Sequence, residues 1–313
     1  MINDSNIKTS SIEAKPLVSI ACPTYNHENF ISDAIDGFIM QKTSFTFEII
    51  ISDDSSSDGS LKIIEAYRER YPHLIKVLRN SKNRGAVKNW IKVIKSCKGK
   101  YIALCDGDDY WTDEFKLQKQ VSILENDEAL SGVYHFARVV DEDGKQKELF
   151  PKKGKHFKNI DEFLISRYQI PSNSVMFCNC IDSAFDSLFK GNKYIADFQV
   201  DAFVSAHGEY AFMDDVMSCY RVIRNGNSFT SKSLEETRKD ILLSRKNVDY
   251  YLEYRHRKSI NKSIEILQVL FLLQTVKEKE SNIDLSYFFS LKIRKKIDFF
   301  ATLFKILIQR LIG

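Results

Sequence analysis

The run YIALCDGDDYW ends an apolar stretch on three carboxylates within four residues, Asp106, Asp108 and Asp109. Like charges this close repel and lose hydration unless a cation or hydrogen-bond donors offset them. A divalent metal is the simplest partner. Mg²⁺ and Mn²⁺ take oxygen ligands and keep positions open for substrate phosphates, which suits the D-x-D spacing of Asp106 and Asp108. The competing reading is a solvated acidic loop whose Asp113 caps the next helix.

A second acidic loop follows the run FEIII in IIISDDSSSDGS. A carboxylate from Asp53 or Asp54 there can accept a hydrogen bond from a base or ribose, while Asp58 suits the cap of the following helix. In PTYNHEN, Tyr25 can stack on a planar base or simply pack as a surface tyrosine. Gly85 in KNRGAVKNW allows a turn with positive φ, which leaves Arg84, Lys88 or Asn89 to reach phosphate or base.

These loops need elements to bring them together. LVSIAC, FEIII, LIKVL and YIALC read as buried strands, and between them lie amphipathic patterns such as Phe30, Ile31, Ala34, Ile35, Phe38 and Ile39. Strand and helix alternate, so the expected class is α/β with a largely parallel sheet flanked by helices. The polar loops then share the carboxyl edge of the strands, where such sheets bind ligands. Farther on, a helix around Leu117, Val121 and Leu124 precedes the strand GVYHFARVV and a DEDG turn, which makes the sheet mixed. Residues 151–225 hold shorter elements, with helices expected at Asp161–Tyr168, Asp182–Phe189 and Asp197–His207 and a strand at NSVMFC.

The chain has 313 residues, 43% hydrophobic and 28% charged, with a formal net charge of +4. That charge is too small to argue for nucleic acid, and no basic stripe interleaved with aromatics appears. Six scattered cysteines fit reduced, buried thiols rather than zinc ligands or disulfides. Neither a signal-peptide core nor an apolar run of membrane-spanning length is present, so a cytoplasmic location is expected. Residues 1–15 read as a flexible N-terminus and 228–313 as a helical C-terminal region. Its end, LKIRKKIDFFATLFKILIQRLIG, has a basic amphipathic composition. Residues 288–313 therefore suit either an anionic membrane surface or another protein face.

The strings VSIACPTYNHENFISDAIDGFIMQ, FEIIISDDSSSDGS, NRGAVKNW and GKYIALCDGDDYWTDEFKLQKQ, in that order, resemble the family 2 glycosyltransferases of the GT-A fold. The resemblance covers about residues 16–225. It implies a GT-A domain at 16–227, with a nucleotide-sugar half at about 16–110 and an acceptor half at about 111–227. It also implies an inverting enzyme with a nucleotide-sugar donor, a UDP-sugar first among them, and Mn²⁺ or Mg²⁺ as cofactor. By resemblance, Pro23, Tyr25, Asp53, Asp54, Arg84, Asn89 and Gly107 belong to the donor site. Asp106 and Asp108 match the family's D-x-D, touching ribose and metal. In KYIADFQVDAFVSAHGEYAFMDDVMSCYRV, Asp197 matches the residue that deprotonates the acceptor hydroxyl, and Asp201 is the alternate one turn later.

Two departures from the family pattern matter. The histidine often found two residues after the Tyr-Arg pair is Ile223 here, so its contribution to the diphosphate site is either missing or supplied by Arg221 or Arg224. No Q-x-x-R-W motif appears, which favours transfer of one sugar per encounter. The expected acceptor is a glycan or lipid-linked glycan of a surface polysaccharide or envelope pathway. A metal-dependent nucleotidyltransferase is the alternative enzyme, although PTYNHEN lacks its glycine- and lysine-rich phosphate loop. An inactive, membrane-associated nucleotide-sugar-binding protein is the non-catalytic alternative. His135, His207, Met213 and Met217 sit in apolar periodic segments and read as structural.

Overall fold

The computed structural model describes residues 15–166, 169–194, 196–223 and 233–277. Residues 1–14, the tail at 288–313, Arg224 and the expected domain boundary at 227/228 lie outside them. Strands β1 (Val18–Thr24), β2 (Phe47–Asp53), β3 (Ile75–Arg79) and β4 (Tyr101–Leu104) alternate with helices α1 (Ile31–Ile39), α2 (Ser60–Arg70) and α3 (Ala86–Lys95). They are followed by β5 (Tyr110–Trp111), α4 (Lys116–Asn126), β6 (Leu130–Asp141), β7 (Gln146–Phe150), α5 (Ile160–Ile165) and β8 (Met176–Cys178). Next come α6 (Asp197–His207), β9 (Glu209–Val222), α7 (Leu234–Tyr251) and α8 (Arg257–Lys277).

Among the described residues the sheet has nine strands in the order β3-β2-β1-β4-β8-β6-β9-β5, with β7 off this path and paired to β6. β1, β2, β3 and β4 pair in parallel, as does β6 with β9, whereas β8, β5 and β7 pair antiparallel to their neighbours. The sheet is therefore mixed, as expected, and its parallel half holds the first three polar loops at one edge.

The central strands are apolar on both faces because helices cover both. Along β1, Val18, Ile20 and Cys22 join Ile35, Phe38 and Ile64 in one buried cluster, while Ala21 joins Trp90, Ile94 and Phe203 in the other. Such alternation follows from the two-residue period of a strand. Each fully buried isoleucine contributes about 2 kcal/mol, so either face lost would unfold the sheet.

Three expectations need correction. Asp182–Phe189 forms only a 3₁₀ turn at Phe185–Phe189, and α5 stops at Ile165. The segment after Gly208 is one long strand, β9, inserted between β6 and β5. The C-terminal region is helical where described, and its Val248, Leu252 and Ile260 share the buried cluster of Phe185 and Phe203. Met213 and Met217 are buried, and His135 is buried with Nδ1 against the Phe136 carbonyl at 2.8 Å, in line with structural roles.

Candidate active site

A cavity of about 580 Å³ opens where the first loops meet the acceptor half. That is room for a nucleotide with a sugar attached. Pro23, Tyr25, Asp54, Asn89, Asp106, Asp108, Asp197 and Arg221 all line it.

The loops after β1 and β2 are fastened to each other before any ligand arrives. Asn26 accepts from the Ser57 amide at 2.8 Å, Asp58 accepts from the Glu28 amide at 3.0 Å, and Ser60 accepts from the His27 amide at 2.7 Å. Asp58 also takes the Ser60 amide at 2.9 Å, but Gly59 rather than Asp58, the residue expected to cap α2, occupies the cap position. Asp54 is buried at the end of this assembly. Its oxygens accept from Asn80 at 2.7 Å and from the amides of Arg84 and Gly85, both at 2.9 Å. Gly85 has φ of 91°, a conformation that favours glycine and turns the two amides inward. Asn89 bridges strands from below, donating to the Ser52 carbonyl and accepting from the Ser52 hydroxyl, both at 2.7 Å.

Three expected donor-site residues stand elsewhere. Asp53 turns away from the cavity and accepts from the amide and hydroxyl of Ser56 at 3.1 and 2.5 Å, closing its own turn. Arg84 contributes its backbone amide, while its side chain is exposed and absent from the lining. Gly107 packs beneath the site. A Cβ there would come within 2.5 Å of the Thr24 hydroxyl, so the residue is small because the loops cross closely.

The carboxylates of DGDD have separate tasks. Asp109 is buried and accepts from the Arg221 amide at 2.7 Å. Asp106 accepts from Trp90 Nε1 at 2.8 Å and from the Ser172 hydroxyl at 3.2 Å. Burial first, then the charges of Asp108 and Asp197, push the Asp106 carboxyl well above the usual range. Asp108 is the more available group, with His27 Nε2 3.8 Å from its carboxylate. Trp90 and Ser172 were missed in the sequence. Trp90 sits on the apolar stripe of α3 and reads there as core, and Ser172 lies far along the chain with no motif around it.

Among the described residues no group of three or more His, Cys, Asp or Glu side chains could hold a metal alone. Two carboxylates with a diphosphate completing the shell is nevertheless a normal Mg²⁺ or Mn²⁺ arrangement. Asp108, with Asp106 behind it, fits that donor set, and the mutual repulsion that raises Asp106 is what a cation would relieve.

Arg221 needs a correction. Its guanidinium is nearly buried, donating from Nη2 to Asp33 at 2.8 Å and from Nη1 to the Asp108 carbonyl at 2.6 Å. Phe30 and Tyr110 flank it at 4.7 and 4.8 Å. It therefore braces the D-x-D loop against α1 instead of presenting a free charge to diphosphate. Lys193 is exposed on the cavity lining and takes no ion pair among the described residues.

Asp197 opens α6 and faces the cavity. Its surface meets the solvent of the crevice, yet protein walls surround it, and that enclosure raises its carboxyl to about 6. Asp201, the alternate, does not reach the cavity: it is buried and accepts from the Tyr210 hydroxyl at 3.1 Å.

The family model described as Glycosyl transferase family 2 matches residues 19–185. The chain belongs to that family. An uncharacterised protein of Mycobacterium tuberculosis is 36% identical over 205 residues, covering 65% of this chain and 58% of the relative. The poly(ribitol-phosphate) beta-glucosyltransferase of Bacillus spizizenii is 27% identical over 72% of this chain and 39% of its own. This family 2 chain thus spans a little over half the length of the first of these relatives. Among solved structures, TarS of S. aureus in complex with UDP-GlcNAc aligns over 91% of this chain and 79% of that one, with a TM-score of 0.58 and 17% identity. A mannosyltransferase from Pyrobaculum calidifontis in complex with GDP-Man and Mn²⁺ aligns over 96% and 88%, at 0.50 and 14%. These likenesses establish the GT-A fold.

The Trp90 contact gives a direct test of the acidic loop. Trp90→Phe keeps the buried ring but removes the donor from Asp106, at the cost of about one charge-assisted hydrogen bond. Mn²⁺-dependent UDP binding, measured by calorimetry, is expected to weaken by about tenfold. The deficit should be larger at pH 6 than at pH 8, because Asp106 without its donor holds a proton to higher pH.

Proposed function

We propose that the chain is an inverting glycosyltransferase that moves a single sugar from a nucleotide-diphosphate donor to an acceptor hydroxyl. The observation that carries this reading is the placement of Asp197: a raised carboxyl without a hydrogen-bond partner among the described residues, on the same cavity as Tyr25, Asp54 and the D-x-D pair. Tyr25 and Asp54 are suited to hold the base, and the prefastened loops around them reduce the ordering that donor binding costs. Asp108 and Asp106 would hold Mn²⁺ or Mg²⁺, which when bound offsets the negative charge of the diphosphate.

In the transfer step Asp197, ionised, takes the proton from the acceptor hydroxyl. The acceptor oxygen forms a bond to the anomeric carbon as the bond from that carbon to the diphosphate oxygen breaks, and the electron pair leaves with the nucleoside diphosphate. Lys193 supplies positive charge toward that leaving group, taking the place expected of Arg221. Attack from the face opposite the departing oxygen inverts the anomeric centre.

UDP-sugars are the first donors to try, since TarS is solved with UDP-GlcNAc. A hydroxyl of a surface or envelope glycan is the acceptor class proposed, in keeping with the relative named for poly(ribitol-phosphate) glucosylation. A cytoplasmic location with the 288–313 tail resting on the inner membrane face belongs to the same proposal. Among the described residues no helix is long and apolar enough to cross a membrane.

The test is a panel of nucleotide sugars with Mn²⁺, scored by the released nucleotide. Nucleoside diphosphate with an inverted product supports the proposal. Pyrophosphate release would replace it with nucleotidyl transfer, and a retained configuration would remove Asp197 as the base of a single displacement.

A further inference from the structure

The carboxylate proposed as base opens α6, three residues beyond Tyr194. The stretch leading into it is held in part by the C-terminal helix α7. Asp240, buried on that helix, accepts from the Lys193 amide at 2.9 Å and the Tyr194 amide at 3.1 Å. Both of those residues line the cavity. Around this contact Asn192 donates to the Asp240 carbonyl and to the Ser244 hydroxyl, each at 3.0 Å, and Asn247 donates to Asn192 at 2.8 Å. A carboxylate receiving two adjacent backbone amides fixes the path of the chain there, because turning either amide away would leave a buried charge short of a donor. Α7 lies outside the stretch matched by the family model, which ends at residue 185.

The geometry points to Asp240 as a positioning residue of the transfer site, which sets the approach of Lys193 and Asp197 to the donor from outside the nucleotide-binding half. It rests on the glycosyl-transfer reading for its catalytic consequence, though not for its structural one. The residues suited to hold the base, Tyr25 and Asp54, take no part in this contact, whereas Lys193 faces the diphosphate. Loss of Asp240 should therefore separate binding from turnover, whereas general loss of stability would lower both.

The experiment compares full-length wild type, Asp240→Asn and Ser244→Ala. Asparagine keeps the volume but offers one acceptor oxygen in place of two. The Ser244 change disturbs the same buried network while leaving the Lys193 and Tyr194 amides bonded. For Asp240→Asn the expected results are a uridine dissociation constant within about twofold of wild type, hydrogen exchange at the Lys193 and Tyr194 amides faster by tenfold or more, and kcat lower by tenfold or more. The acid limb of its pH–rate profile should also move to lower pH as water reaches Asp197. Ser244→Ala should keep kcat within about threefold. Unchanged amide exchange in Asp240→Asn, or a kcat loss that Ser244→Ala matches at equal loss of melting temperature, overturns the assignment. If wild type transfers no sugar from any donor, the glycosyl-transfer reading fails while the exchange measurement still decides whether Asp240 holds the segment.

Discussion

Asp197→Asn is expected to bind UDP and Mn²⁺ like wild type and to lose about three orders of magnitude in kcat, within the range typical of removing a general base. The wild-type pH dependence should show the same group. Enclosure raises Asp197 to about 6, and only the ionised form accepts the acceptor proton, so kcat should fall as pH drops below about 6. In Asp197→Asn that acid limb should vanish from whatever residual rate remains. Stability runs the other way. A carboxyl whose pKa is raised on folding favours the folded state most when protonated, below its unfolded pKa, and that contribution is lost as pH rises through about 6. The asparagine variant lacks this loss and should melt slightly higher than wild type at pH 7.5, with the advantage gone near pH 4. Wild-type turnover by Asp197→Asn would remove the base from the mechanism.

Arg221→Met should damage the site without touching the ligand. Methionine fills much of the space between Phe30 and Tyr110 but gives up the bonds to Asp33 and the Asp108 carbonyl, so a loss of about 3 kcal/mol in stability is expected from chemical denaturation. Mn²⁺-dependent UDP affinity should fall with it, because Asp108 no longer has a fixed carbonyl beside it. Arg221→Lys should rescue little, since one ammonium cannot reproduce a fork that spans two acceptors. Asp33→Asn is the milder control, at under about 1 kcal/mol, because Asp33 is half exposed and water already screens it. Equal losses in Arg221→Met and Asp33→Asn would refute the bracing role.

The parallel half of the fold was legible because its signal is local. β1 to β4 are continuous apolar runs, each closed by a polar loop, and both features follow from burial on two faces. Asp54, Asp106 and Asp108 could be singled out for the same reason, each standing just beyond an apolar run, whereas Asp197 was marked only by the family resemblance. What the chain concealed depends on contacts distant along it. Asp53 and Asp54 are adjacent and chemically alike, yet Asp53 ends β2 closed on Ser56 and only Asp54, just past the strand, lines the cavity. Arg221 reads as a free cation until Asp33 is seen beside it. Ser172 and Trp90 carry no spacing that marks them as partners of Asp106. β9 was hard to find because Asp214 and Asp215 interrupt its apolar pattern and it lies next to β6 with shifts in register.

The clasp from Arg221 to Asp33 joins residues 188 positions apart. A chain emerging from the ribosome at roughly 5–20 residues per second completes β1 to β4 many seconds before β9 exists. Through that interval the acidic loop lacks both the guanidinium and the backbone amide that steady it. The acidic end of the crevice thus acquires its shape only once β9 is in place, and a chain stopped short of residue 221 would carry every donor-side motif without the brace that steadies Asp108 and Asp109.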